Sequence, residues 1–211
     1  MGARGVKREA ATPDDIHHMK EIIGESLRAG AIGLSSSRTL LHLSSSGENV
    51  PTFAAAATEM KALGTALDGA HGHVMQFISD WEDAEEEFDI LRETSRKTGA
   101  KGTFTLIPIE NPSAGMNESP DLWRDQLKRI ETAQAEGLDI RGQVISRPIG
   151  ILMGHIATMS PFYKRPSFMT VADLKPAERA AKLKDPALRA KILAEENENP
   201  HIFVQLLSTN F

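Results

Sequence analysis

Amphipathic segments with helical spacing alternate along the chain with short apolar runs, and a glycine stands in each turn between them. The apolar runs lie at 32–36, 74–79, 103–109 and 140–146, and their length and composition favour strands. Neighbouring parallel strands need a crossover connection, which is usually a helix. The alternation therefore predicts an α/β fold built from βα units around a parallel sheet.

The first long helix has the clearest boundaries. Thr12 is placed to cap its amino end, Pro13 suits the first helical position, and Gly30 ends it. Its apolar stripe, which we predict to be buried, consists of Ile16, Met19, Ile22, Ile23 and Leu27. Further helices are predicted at 52–67, from the acidic turn at 80–83 to 98, and at 120–135, with glutamates 85–87 on a solvated face.

The number of units is too small for a closed barrel. A (β/α)8 TIM barrel needs eight strands, whereas this pattern supplies about four to five. We therefore predict a partial (β/α)8 barrel that spans 1–211, with βα units over 1–160 and a helical tail over 161–211 that ends in a truncated strand at 203–209. The chain is predicted to be an incomplete segment of a larger enzyme.

Composition narrows the classes of partner. The net charge of −5 and the lack of a dense Lys/Arg cluster argue against nucleic acid. No apolar stretch is long enough to cross a bilayer, and the first residues do not resemble a signal peptide, so a cytoplasmic location without membrane contact is predicted. The chain has no cysteine, which excludes disulfides, thiolate catalysis and cysteine zinc ligands within it.

Candidate site residues lie near strand ends, since β/α barrels carry function at the carboxyl face. His42 follows the first strand beside Arg38 and several hydroxyls; it suits acid/base work, substrate binding or metal ligation, or it is an ordinary loop histidine. Gln76 is either a residue of the barrel centre or a core amide. Arg147, directly after a strand and before Pro148, suits a carboxylate clamp or a structural ion pair.

Two other patterns are weaker. The pair His71 and His73 has the spacing of a metal-binding HxH motif, but it precedes its strand, so a turn is the favoured interpretation. The serines at 35–37 lack the G-x-S-x-G elbow, which argues against a nucleophilic serine.

Several runs, taken in order, resemble a known family. The segments 1–4, 29–42, 47–51, 76–80 and 147–150 are similar to the interior of N-acyl-D-amino-acid deacylases, the D-aminoacylase branch of the amidohydrolase superfamily. The resemblance covers essentially the whole chain. It implies a metal-dependent β/α barrel of the metallo-dependent hydrolase type, which hydrolyses non-peptide C–N bonds with a zinc-activated water.

The resemblance also implies what this segment lacks. The family's HxH motif, its metal-binding cysteine and its late aspartate fall outside the matched part, and the middle strands carry 76–78 and 105–107 where better-known members place histidines. We therefore expect no catalytic residue and no metal ligand here, with zinc belonging to the full-length parent. The expected substrate contacts, to an N-acyl amino acid or related amide, are Ser36, Arg38, His42, Gln76 and Arg147.

Two hypotheses of different class follow. The chain is part of a zinc-dependent deacylase, with Arg38 or Arg147 holding the substrate carboxylate, or it is a non-catalytic barrel fragment that acts as a structural module. In either case we expect the segment alone to self-associate, because open strand edges need a cover. Tightly bound zinc would favour the first hypothesis for this chain.

Overall fold

The computed structural model describes residues 1–40, 42–44, 48–106, 122–147, 154–155, 160–162 and 164–196. The chain divides into two compact units, Met1–Ser146 and Arg147–Phe211. The predicted strand at 203–209 and the carboxyl end of the predicted strand at 103–109 lie outside the described residues, as does Pro148.

The first unit contains a four-stranded parallel sheet in the order β1-β2-β3-β4. Its strands are β1 Gly33–Arg38, β2 Val74–Ser79, β3 Lys101–Thr105 and β4 Ile140–Gln143. The α/β class and the parallel sheet are thus confirmed, and β2 has the predicted bounds. β1 runs two residues further than the prediction, which ended at 36, and β4 stops at Gln143, three residues short of 146.

The helices of this unit are α1 Ala3–Val6, α2 Pro13–Arg28, α3 Ala57–Gly64, α4 Ala84–Thr98 and α5 Leu122–Ala135. The continuous helix predicted at 52–67 is wrong: a 3-10 turn, Pro51–Ala54, precedes α3. Ala55 and Ala56 between them are extended. The carbonyl of Ala55 accepts a hydrogen bond from Arg38, so a side chain on β1 takes the place of a helical partner there.

The start of α2 is as predicted. The Thr12 hydroxyl accepts from the backbone N–H of Asp15, and the Asp15 carboxylate accepts from the backbone N–H of Thr12 at 2.9 Å. The bonds from the Thr12 backbone and hydroxyl lower the pKa of Asp15 to about 2, so the cap stays charged above that pH. The buried stripe is not confirmed, because no residue of α2 is buried and Ile22 is 61% exposed.

The core lies on one face of the sheet, where the helices pack. Met75, Phe77 and Phe104 are fully buried there against Phe88 and Leu91 of α4. Side chains alternate between the two faces of a strand, so the residues between these point to the opposite side. That side, which we call the open face, is half-buried or exposed and carries Ser35, Ser37, Gln76, Ile78, Thr103, Thr105, Arg141 and Gln143.

The second unit contains α6 Pro166–Ala172, α7 Pro176–Lys182 and α8 Pro186–Ala194. α7 and α8 begin at Pro176 and Pro186, and each proline takes a first-turn position where its missing N–H costs nothing. Phe168, Val171 and Ile192 form a small core of their own. In the part of the chain that the structure describes, no helix is both long and apolar enough to span a membrane.

Candidate functional site

A polar row crosses the middle of the open face. In the strand register Ser35 lies beside Gln76, which lies beside Thr103, which lies beside Arg141. The Ser35 hydroxyl donates to the side-chain oxygen of Gln76 at 2.5 Å. Gln76 is half-buried, and its NH₂ group has no hydrogen-bond partner among the described residues. An amide donor is therefore available to a ligand on this face.

A hydroxyl–imidazole pair lies at the carboxyl end of β1. Ser37 Oγ is 2.6 Å from His42 Nδ1, and both side chains are accessible to solvent. The Thr52 hydroxyl donates to the Ser37 carbonyl at 2.7 Å, and the Val50 N–H donates to the His42 carbonyl at 3.3 Å. These bonds hold His42 beside Ser37 at the end of β1.

Ser36 and Arg38 lie on the opposite, helix-covered side of β1. The Ser36 hydroxyl is buried and has no hydrogen-bond partner in the described part of the chain. Arg38 donates from Nε and Nη2 to the carboxylate of Glu87, at 2.7 and 2.5 Å, and its side chain is only 9% exposed. This arrangement favours a scaffold role over the predicted substrate contact for both residues.

The same ion pair corrects the prediction for the acidic run of α4. Glu85 and Glu86 are exposed as expected, but Glu87 is buried, because the helix turns this third glutamate toward the sheet. A charged hydrogen-bond partner is what makes a buried carboxylate tolerable. Arg38 could have indicated this buried glutamate from the sequence. An arginine whose strand position faces the helix layer needs a negatively charged partner there.

Asp80 makes a second buried polar contact at the carboxyl ends of β1 and β2. Its carboxylate accepts from the Thr39 hydroxyl at 2.5 Å and from the Leu40 N–H at 2.8 Å. The aspartate thereby ties the loop after β1 to the end of β2. Together with the Arg38–Glu87 pair, this contact holds the segment that presents Ser37 and His42.

Arg147 is the first residue of the second unit and is exposed. Its guanidinium makes no hydrogen bond or ion pair with another described residue. A structural ion pair, the alternative left open by the sequence, is thus not seen in the described region. The carboxylate-clamp assignment for Arg147 stays a prediction.

The structure pairs two of the predicted site residues with two serines that were not among the candidates. Gln76 and His42 each contact a serine that faces the same way, Ser35 and Ser37. Strand alternation could have identified these serines, because Leu34 packs against the core and Ser36 must share its side. The open face thus offers hydroxyls, an amide and an imidazole, which suit hydrogen bonding to a neutral or anionic polar ligand.

No three His, Cys, Asp or Glu side chains of the described residues stand close enough to hold one metal ion. No protein-family model, curated protein sequence or solved structure matches the chain.

Proposed function

We propose that this chain is part of a β/α-barrel enzyme of the amidohydrolase type that hydrolyses the amide bond of N-acyl-D-amino acids, with the open face lining the substrate cavity. The observation that supports the proposal is an asymmetry of the sheet among the described residues: the apolar core packs on one face, and the other face carries an ordered polar row. The resemblance to the D-aminoacylase branch supplies the substrate class.

Parallel sheets are normally covered on both faces or closed into a barrel, and among the described residues the helices pack on one face of this sheet. In a barrel the uncovered face becomes the interior, and its carboxyl end carries the substrate site. Three open-face residues lie two positions nearer the carboxyl end of their strands than Ser35, Thr103 and Arg141 do. They are Ser37, Thr105 and Gln143. Both rows would then face a bound substrate, and the row nearer the carboxyl end also contains the apolar Ile78, which pairs with Ser37.

The groups on the open face match an acylated amino acid. The free NH₂ of Gln76 would donate to the acyl oxygen, and the hydroxyl of Ser37 or the imidazole of His42 would bind the amide N–H or the carboxylate. The carboxylate-clamp proposal for Arg147 rests on its sequence position after a predicted strand and on the paired donors of a guanidinium, and it is separate from the open face. The zinc that the resemblance implies has no site among the described residues, so no step is assigned to a metal ion.

In the complete enzyme, Gln76→Ala is expected to lower kcat/KM for N-acetyl-D-leucine by about 10-fold, the scale of one lost hydrogen bond to a reacting group. Ser36→Ala is the matched control from the same sheet; its hydroxyl is buried on the helix side, so kcat/KM should stay within about 2-fold of wild type. Equal effects of the two substitutions, or an unchanged kcat/KM in Gln76→Ala, would contradict the assignment of the open face to substrate.

The alternative is a non-catalytic module that self-associates. It is favoured by exposed apolar residues beside the two edge strands: Ile32 before β1 is 81% exposed, and Val144 after β4 is 69% exposed. Edges of this kind pair readily with another chain. The substitution test above separates the two proposals, because a structural module would have no turnover for Gln76→Ala to lower.

A further inference from the structure

The second unit contains a cavity of its own. Its volume is 210 Å³, and six side chains from the described residues line it: His155, Phe162, Leu183, Arg189, Ile192 and Leu193. Four of the six are apolar, and the other two are an imidazole and a guanidinium. The cavity is thus apolar with basic groups in its lining, and no carboxylate is among these six residues.

One wall of the cavity is built from stacked rings. The rings of His155 and Phe162 are nearly parallel, with centroids 5.7 Å apart, and Phe168 packs against both at 6.1 Å. The Arg179 guanidinium donates to the backbone carbonyl of His155 and also to that of Val171. The ring contacts orient the imidazole and the Arg179 bond holds the backbone of His155, so the wall is preorganised for a ligand.

Arg189 is exposed, and it makes no hydrogen bond or ion pair with another described residue. Two carboxylates of this unit are already committed elsewhere. Asp185 caps α8 by accepting from the Ala187 N–H at 2.9 Å, and Glu195 accepts from the N–H and hydroxyl of Ser167. A guanidinium left open beside an apolar surface favours an anion that also carries an apolar body.

We propose that this cavity binds a small monocarboxylic acid with an aromatic or short aliphatic body. The carboxylate would pair with Arg189, and the body would lie against Ile192 and the His155–Phe162 stack. The volume is below the roughly 300–1,000 Å³ of sites for drug-sized ligands, which suits a compact acid. Inorganic phosphate would leave the apolar lining unused. The inference rests on the second unit alone and does not depend on the proposed function.

Phenylacetate is the probe, with phenylacetamide as its uncharged analogue, in calorimetric titrations of the full chain. We expect saturable phenylacetate binding with a dissociation constant on the order of 1 mM, and binding of phenylacetamide about 10-fold weaker or more. Arg189→Gln should weaken phenylacetate binding about 10-fold or more, the range of a hydrogen bond to a charged group. Lys191→Ala, which removes a positive charge from the same helix outside the cavity, should change it less than about 2-fold.

A second variant tests the proposal in case the Arg189→Gln protein does not fold. Leu193 lines the cavity but is 63% exposed, so Leu193→Asp should fold and should weaken phenylacetate binding by placing a negative charge beside the carboxylate. The proposal is overturned if phenylacetate shows no saturable binding, if the acid and the amide bind equally, or if Lys191→Ala weakens binding as much as Arg189→Gln. It is also overturned if folded Leu193→Asp binds phenylacetate as wild type does.

Discussion

Replacing Glu87 with alanine is expected to lower the free energy of unfolding by about 3–5 kcal/mol, the cost of leaving a buried charge without its partner. The pair that it breaks is almost inaccessible, with Arg38 9% and Glu87 10% exposed. Urea unfolding measures the change through the midpoint at constant slope. Glu86→Ala is the control, because this neighbouring glutamate is exposed, and its effect should stay within about 0.5 kcal/mol.

A double substitution distinguishes the ion pair from general packing. Arg38→Met combined with Glu87→Leu removes both charges and keeps most of the apolar volume, so it should recover most of the stability lost in Glu87→Ala. If Glu87→Ala unfolds at the same urea concentration as Glu86→Ala, the Arg38–Glu87 ion pair does not stabilise the fold. Arg38 would then return as a candidate for substrate binding.

Phe104→Ala is expected to cost about 3–5 kcal/mol of folding free energy, since it empties the centre of the first unit's core. The Phe104 ring is fully buried, with the rings of Trp81 at 4.7 Å and Phe88 at 6.0 Å. Urea unfolding, followed by tryptophan fluorescence, would report the loss. Ile32→Ala truncates a residue that is 81% exposed and should change stability by less than about 0.5 kcal/mol.

The difference in stability between Phe104→Ala and Ile32→Ala tests which face of the sheet carries the core. A loss of less than about 1 kcal/mol for Phe104→Ala would mean that the helix-covered face is not the main core. A large loss for Ile32→Ala would mean that the region before β1 is buried in solution, as association through this edge would produce.

The strands and most helices of the first unit could be predicted from sequence because local signals mark them. Thr12, Pro13 and Gly30 mark α2, and an apolar run of strand length marks β2 with the correct bounds. The break between Pro51–Ala54 and α3 could not be predicted in the same way. It depends on the Arg38 guanidinium binding a carbonyl seventeen positions along the chain, which is a tertiary contact.

The residues of the candidate site are harder to predict from sequence than the strands, because membership depends on which face of a strand each side chain occupies. The sequence predicts Ser36 as the last residue of the strand and Arg38 as part of the loop after it, whereas the strand extends through Arg38 and turns both side chains to the helix layer. Gln76 and His42 remain candidates, and each now has a serine partner on the open face. The register that pairs Ser35 with Gln76 is set by strand pairing across separate units, which a single sequence does not specify.

The central proposal is that the open face is the substrate side of the sheet, and the most direct test is a titration of the chain with N-acetyl-D-leucine followed by backbone amide NMR. We expect the largest saturable chemical-shift changes at the amides of Ser35, Gln76 and Thr103, and we expect Gln76→Ala to diminish them. Shifts confined to residues 160–196, or the same shifts in wild type and Gln76→Ala, would contradict it.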